Sequence, residues 1–299
     1  MDSRWGGAQH ESGSASFGIM HCSQIRNAVL WQAMRMQDDL IYDVGLHSGK
    51  DTEFYLAKGF RVVAIEANPV LATRCKTKFA SQIKEGRLHI LQLAIGEQAG
   101  NCDFFVCDQH DDWSTIDRRD RLKKEKQDGV TFRTVTVRCA SLDTVLLEFG
   151  VPYYLKIDIE GCDVFCLEAL KRTQARPKYV SVETDGYDQL FHLYLLGYNK
   201  FKVINQALHK QAVPPRPPRE GRYVDATFNW DSSGLFGEET AGSWLEINDA
   251  LKRCRQVIDL SMINSKPCPS IVDRIRRRRL SGRPFLRTER TWFDLHATL

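Results

Sequence analysis

The stretch IYDVGLHSGKDTEFYLAKGFRVVAIEANP, from Ile41 to Pro69, decides the fold. It reads as an apolar strand (Leu40 to Val44), a glycine-bearing loop, a short helix (Thr52 to Lys58) stopped by Gly59, and a second apolar strand (Arg61 to Ile65) ending at Glu66. Strand, tight loop, helix and strand with a terminal carboxylate make the nucleotide-binding half of an open α/β sheet.

The loop discriminates among nucleotides. A dinucleotide site wants G-x-G-x-x-G, because the middle glycine lets the backbone approach a pyrophosphate. Here Gly45 and Gly49 remain, but His47 stands where the middle glycine would be. Asp43, at the tip of the first strand, repels a pyrophosphate and suits a ligand carrying an ammonium and a sulfonium, which S-adenosylmethionine does. Glu66 is placed to accept hydrogen bonds from both ribose hydroxyls. Ser48 and the free N–H groups near Asp51 can hold the ligand's own carboxylate. Many doubly wound proteins carry an acidic residue after a strand, so this segment alone leaves a nicotinamide-dependent oxidoreductase open.

Outward from this stretch the alternation continues. Pro69 opens a helix over Val70 to Phe79, and Leu88 to Ile95 reads as a third strand. Asn101 to Cys107 and Thr131 to Cys139 are strand-like and flank a very polar loop. Ser141 caps a helix ending at Gly150. Tyr153 to Ile159 is a fourth strand, Asp163 to Leu170 a helix, Tyr179 to Glu183 a fifth strand. A helix ending at Gly197 and a sixth strand, Tyr198 to Asn205, follow. Short apolar strands separated by helices mean a parallel sheet. The pattern then breaks at 206–290, which holds PPRPP, WDSSGLFGEE, a helix over Trp244 to Leu260 and the arginine run Arg274 to Arg279. An insertion of that length forms a cap. TWFDLHA at the end reads as a last strand, with Trp292, Asp294 and His296 on one face. The domain is thus 37–205 joined by 291–299, preceded by a flexible Gly/Ser-rich segment and a leading helix over Ser23 to Met36.

Composition narrows the class. The 299 residues carry 42 basic and 38 acidic side chains, a formal charge of +4, which demands neither nucleic acid nor a membrane surface. Nine cysteines with no C-x-x-C pair read as reduced thiols, not a disulfide framework or a zinc site. No apolar run approaches the roughly 20 residues of a membrane span, and the N-terminus lacks a secretory pattern, so a cytoplasmic location is the default expectation. The RIRRRR run is most simply a solvated helix face. Nucleic acid is an unlikely partner, and a non-catalytic RNA- or protein-binding module is the remaining alternative to an enzyme.

Taken together, the Ile41–Pro69 stretch, VPYYLKIDIEGCD, YVSVE, WDSSGLFGEE and WFDLHA resemble the FkbM-type methyltransferases, over about 41–299. The resemblance implies a Rossmann-like class I methyltransferase fold, with seven strands and the last inserted antiparallel between the fifth and sixth. It implies S-adenosyl-L-methionine as cofactor and O-methylation of a sugar or other polyhydroxylated small molecule, with the cap setting specificity. The candidate cofactor-binding residues are Asp43, Gly45, His47, Ser48, Gly49, Thr52, Glu66, Ala67, Asn68, Ala94, Ile95, Trp113, Ser114 and Asp158. His47 is expected to line the pocket by its backbone. Candidate catalytic residues are Asp158, Glu160, Glu183 and His296. Asp158 and Glu160, two apart in KIDIEG, fall on one face of a strand. Two close carboxylates can raise one pKa to make a base, or can hold a divalent ion; no metal-ligand set is assigned. A structural role satisfying loop N–H groups is the plainer reading of Asp158 and Glu160, helix capping of the Glu183 region, and a hydrogen-bonded core position of His296.

Overall fold

The computed structural model describes residues 35–229, 231–264 and 292–299. The expected leading helix, Ser23 to Met36, lies outside the described residues up to residue 34, and its last residue, Met36, opens a strand instead; the arginine run also lies outside the described residues.

Seven strands form one sheet. β1 (Met36–Val44), β2 (Arg61–Ile65), β3 (Leu88–Leu91), β7 (Val151–Ile157), β8 (Tyr179–Thr184), β9 (Lys200–Asn205) and β10 (Phe293–Thr298) are ordered β3-β2-β1-β7-β8-β10-β9. β10 runs antiparallel to both β8 and β9, and the other pairings are parallel. This is the Rossmann-like class I methyltransferase topology. Alternation along each strand sends side chains to two apolar layers. Tyr42, Val44, Leu155, Ile157, Val180, Val182 and Leu295 join one core, with helices α5 (Leu142–Phe149), α6 (Asp163–Thr173), α7 (Asp188–Leu195) and α8 (Ile247–Asn264). Ile41, Val62, Ala64, Tyr154 and Tyr179 join the other, with α1 (Lys50–Ala57) and α2 (Pro69–Lys78), the latter followed by a short helix α3 (Ala80–Lys84).

The expected third strand, Leu88 to Ile95, is split. Its first half is β3 in the main sheet. Ala94–Ile95 forms β4, which leaves that sheet and pairs with β6 (Phe132–Ala140). β6 also pairs antiparallel with β5 (Gly100–Cys107), making a separate three-stranded sheet. Between β5 and β6, in the stretch read as a polar loop, stands helix α4 (Arg118–Asp128). Its side chains give no apolar stripe and none is fully buried, so the periodicity that reveals a packed helix is missing. Its start is nevertheless conventional: Asp117 accepts a hydrogen bond from the Arg119 N–H at 2.7 Å.

The described part of the 206–290 insertion is built into the body of the sheet domain. α8 buries Ala250, Cys254, Val257 and Leu260 in the first core. Phe228, Leu235 and Phe236 enter the second. Phe236 is fully buried, stacked on Tyr154 (centroids 4.8 Å, 9° between planes) and edge-on to Tyr55 at 5.3 Å. Lys58 and Glu239, both inaccessible, form an ion pair of 2.9 Å that fixes this segment to the end of α1. Among the described residues no helix is long and apolar enough to cross a membrane.

Phe236 carries much of this attachment. Phe236→Ala is expected to lower the unfolding free energy by about 3–5 kcal/mol, read as a shift of the urea midpoint. A change under about 1 kcal/mol contradicts the packing described.

Candidate active site

The C-terminal edge of the main sheet opens into a cavity of about 1200 Å³. Its walls come from the loop after β1, the ends of β2, β7 and β8, the β4 region, the Trp113 loop with α4, and the segment around Asp231–Ser233.

The loop after β1 is tightly drawn. The Gly45 and Leu46 N–H groups both donate to the Ile65 carbonyl at 3.0 Å. Gly45 has φ +97°, and a Cβ there would lie 1.9 Å from the Asp158 carbonyl oxygen, so only glycine lets these two strand ends approach. His47 also adopts a left-handed backbone, φ +49°. That conformation aims its N–H at Glu66 Oε2, 2.8 Å away, while its ring turns to Asp111 at 3.1 Å and also lines the cavity.

Glu66 is held from both sides. Oε2 takes the His47 N–H and Oε1 takes the Asn68 N–H at 2.7 Å. Burial pushes its carboxyl up, opposed by these two N–H groups. Ala67, Leu93, Ala94 and Ile95 line the adjoining wall. Trp113, stacked on His110 at 4.3 Å, and Ser114 close the side opposite.

Asp43 does not face the cavity. It is fully buried, and its carboxylate accepts from Thr52 Oγ1 at 2.7 Å and from the Lys156 ammonium at 3.1 Å. The charge expected to attract a sulfonium is thus spent on a lysine of the protein. Lys156 Nζ also donates to the Gly45 carbonyl at 3.1 Å and lies 3.5 Å from Asp51 and 3.6 Å from Asp158. Burial opposes its charge, but Asp43, Asp158 and Asp51 outweigh that and hold its pKa well above the ordinary lysine value. Thr52, Ser48, Gly49 and Asn68 likewise stand behind the wall. Thr52 orients Asp43, Ser48 approaches Asp231 at 3.5 Å, Gly49 precedes α1, and Asn68 caps α2 by accepting the Val70 N–H.

Asp158, Glu160 and Glu183 do come together: one oxygen from each lies within 4.8 Å of the others. Strand alternation is not the reason. β7 ends at Ile157, and Glu160 lies in the following turn with φ +49°. Its carbonyl accepts from Thr115 Oγ1 at 2.7 Å, and Lys124 of α4 pairs with its carboxylate. A fourth carboxyl, Asp294, sits opposite Glu183 in the β8–β10 register and accepts from the Gln206 amide. Burial pushes Glu160 up to about 7, against the pull of Lys124. Burial and Asp158 push Asp294 up to about 8. Burial, then Glu160, Asp158 and Asp294, hold Glu183 well above the carboxylate range. Three carboxylates at this spacing could also hold a divalent cation.

His296 is not part of this group. It is 2 % exposed, does not line the cavity, and its Nε2 has no hydrogen-bond partner. Burial and the Lys202 ammonium lower its pKa to about 3, which removes it as a base at neutral pH. Asp294, two residues earlier on the same face, is the one that reaches the cavity. Lys156 and Asp294 were both findable by strand alternation, from Asp158 and from His296. Lys124 and Gln206 carried no signal, because α4 has no apolar stripe and Gln206 lies past the last regular residue of β9.

The model of the methyltransferase FkbM domain matches residues 43–211. The chain belongs to the FkbM methyltransferase family. Among solved structures, the FkbM methyltransferase of Methylobacillus flagellatus KT aligns at 14% identity and TM-score 0.38, over 59% of this chain and 44% of that one. The precorrin-6y C5,15-methyltransferase of Geobacter metallireducens GS-15 aligns at 15% identity and TM-score 0.33, over 60% and 73%. The C-terminal domain of the precorrin-6Y C5,15-methyltransferase of Rhodobacter capsulatus aligns at 12% and 0.33, over 65% and 77%. No curated protein matches the chain.

The raised carboxyls make a stability prediction. A carboxyl whose folded pKa lies above its unfolded value stabilises the fold below the unfolded pKa, and that contribution is lost as pH rises through the folded one. Glu160, Asp163 (about 7, by burial) and Asp294 therefore weaken the fold progressively between about pH 4 and 8. Asp294→Asn removes one of these terms, so its melting temperature relative to the native chain is expected to rise between pH 5 and 8. A pH-independent difference contradicts a raised Asp294.

Proposed function

We propose that the protein is an S-adenosylmethionine-dependent O-methyltransferase acting on a sugar or similarly polyhydroxylated small molecule. The observation that carries the cofactor is Glu66. Its carboxylate is fixed by two backbone N–H groups, and each oxygen keeps a lone pair for a ribose hydroxyl. The glycine-bearing loop on one side and the Leu93–Ile95 wall on the other leave room for an adenosine between them. No pyrophosphate-cradling glycine stands at position 47, which counts against a nicotinamide cofactor.

Bound here, the sulfonium supplies an electrophilic methyl group. The chain's own residues align the acceptor, keep water out and take a proton from the acceptor hydroxyl. Asp158, Glu160, Glu183 and Asp294 form the end of the cavity suited to this. Carboxylates accept hydrogen bonds from several hydroxyls at once, and Glu160, pushed up to about 7, is matched to proton abstraction near neutral pH. Trp292, which also lines the cavity, offers an apolar ring for a sugar.

Calorimetric titration with S-adenosylmethionine should show saturable binding, weakened at least about tenfold by Glu66→Ala, since a hydrogen-bonded charged group contributes about 1.5–3 kcal/mol. Methyl transfer from tritium-labelled cofactor should then label polyhydroxylated acceptors. Binding of NADH in its place, or affinity indifferent to Glu66, overturns the reading.

A further inference from the structure

The cavity walls are strongly acidic. Among the described residues, eleven lining side chains are Asp or Glu and four are Lys, with no arginine. Low-dielectric walls of one sign focus the field on whatever enters. S-adenosylmethionine carries a net charge of +1, which such walls favour but do not balance.

How the protein treats its own carboxylates shows what is missing. Asp158 has the Lys156 ammonium at 3.6 Å. Glu160 has the Lys124 ammonium, which also lies 2.7 Å from Asp120. Asp231 has Lys50 at 2.7 Å. Ammonium groups on flexible stems thus serve the acidic wall at three places. At the β8–β10 edge the pattern stops. The Glu183 carboxylate has no hydrogen-bond or ion-pair partner among the described residues, and Asp294, opposite it in register, accepts from the neutral Gln206 amide and has the Lys156 charge only at longer range. Both face the cavity, beside the Trp292 ring that also lines it. A carboxylate pair next to an indole face binds an organic ammonium by charge-assisted hydrogen bonds and by the ring quadrupole.

Resting on the reading of this cavity as a methyl-acceptor site, we infer that the acceptor is an amine-bearing polyhydroxylated molecule, of the amino-sugar class, whose ammonium group sits between Glu183 and Asp294 with a hydroxyl presented for methylation. The ammonium supplies the ion-pair partner that Glu183 and Asp294 lack among the described residues. Burial first, and then the neighbouring carboxyls, hold the Glu183 carboxyl high in the unliganded site, and a cation there offsets the second of these.

Three sugars of one ring and different charge test this: glucosamine, glucose and glucuronic acid. Each is titrated by calorimetry into the native protein saturated with S-adenosylhomocysteine, with EDTA present. Glucosamine is expected to bind at least about tenfold more tightly than glucose, and glucuronic acid not at all. Glu183→Gln should bring glucosamine to within about threefold of glucose while S-adenosylhomocysteine affinity stays unchanged, which reports an intact fold. No amine preference, whether through equal binding or none, overturns the inference. So does a preference that appears only when Mg²⁺ replaces EDTA, since a metal ion then fills the place. A protein that binds no S-adenosylhomocysteine fails the methyltransferase-site reading instead, and the sugar comparison is then made on the unliganded protein.

Discussion

The ammonium of Lys156 is the point on which the site is built. It lies opposite Asp43 in the β1–β7 register, is almost fully buried, and reaches Asp43, Asp51, Asp158 and the Gly45 carbonyl. Four pieces of chain are therefore tied to one charge: the ends of two strands, the glycine loop and the first turn of α1. A buried pair of this kind contributes little net stability, but removing one partner strands the other at a cost of about 3–5 kcal/mol. Its effect is on placement. By holding Gly45 against Asp158, it brings the glycine loop and the acidic turn after β7 to adjoining walls of one cavity.

A second constraint follows from the first. Asp158, Glu160, Glu183 and Asp294 crowd one end of the cavity, and Lys156 and Lys124 offset only part of their charge. Burial first, and this crowding second, raise the carboxyls there, and they destabilise the unliganded fold as pH rises. Such a cost is common where a protein maintains a reactive site. The aromatic cluster around Phe236 and the inaccessible Lys58–Glu239 pair lie on the same face of the sheet and secure the segment that closes the cavity near Asp231.

Much of the fold was legible in the chain. Apolar strands alternating with capped helices identified the parallel sheet, and WFDLHA was read as the strand that proves antiparallel. What escaped was packing without periodicity. α4 buries no apolar face, and nothing in LHILQLAI marks Leu91–Leu93 as the place where the chain leaves one sheet for another. In the site, short-range geometry was readable: Gly45, His47 and Glu66 stand where a βαβ turn puts them. The partnership of Asp43 with Lys156 was not, because the two are 113 residues apart and only strand order makes them neighbours. His296 and Asp294 share a strand face, and depth alone separates them. One is sealed beneath the cavity and the other opens into it.

The central claim is that this cavity holds adenosine at Glu66 and the acceptor at the carboxylates. A crystal structure of the protein grown with S-adenosylhomocysteine tests it most directly. The account places the ribose hydroxyls on the Glu66 carboxylate, the adenine along the Leu93–Ile95 wall, and the sulfur turned toward Asp158. Density for the ligand elsewhere, or a ribose that does not touch Glu66, contradicts it.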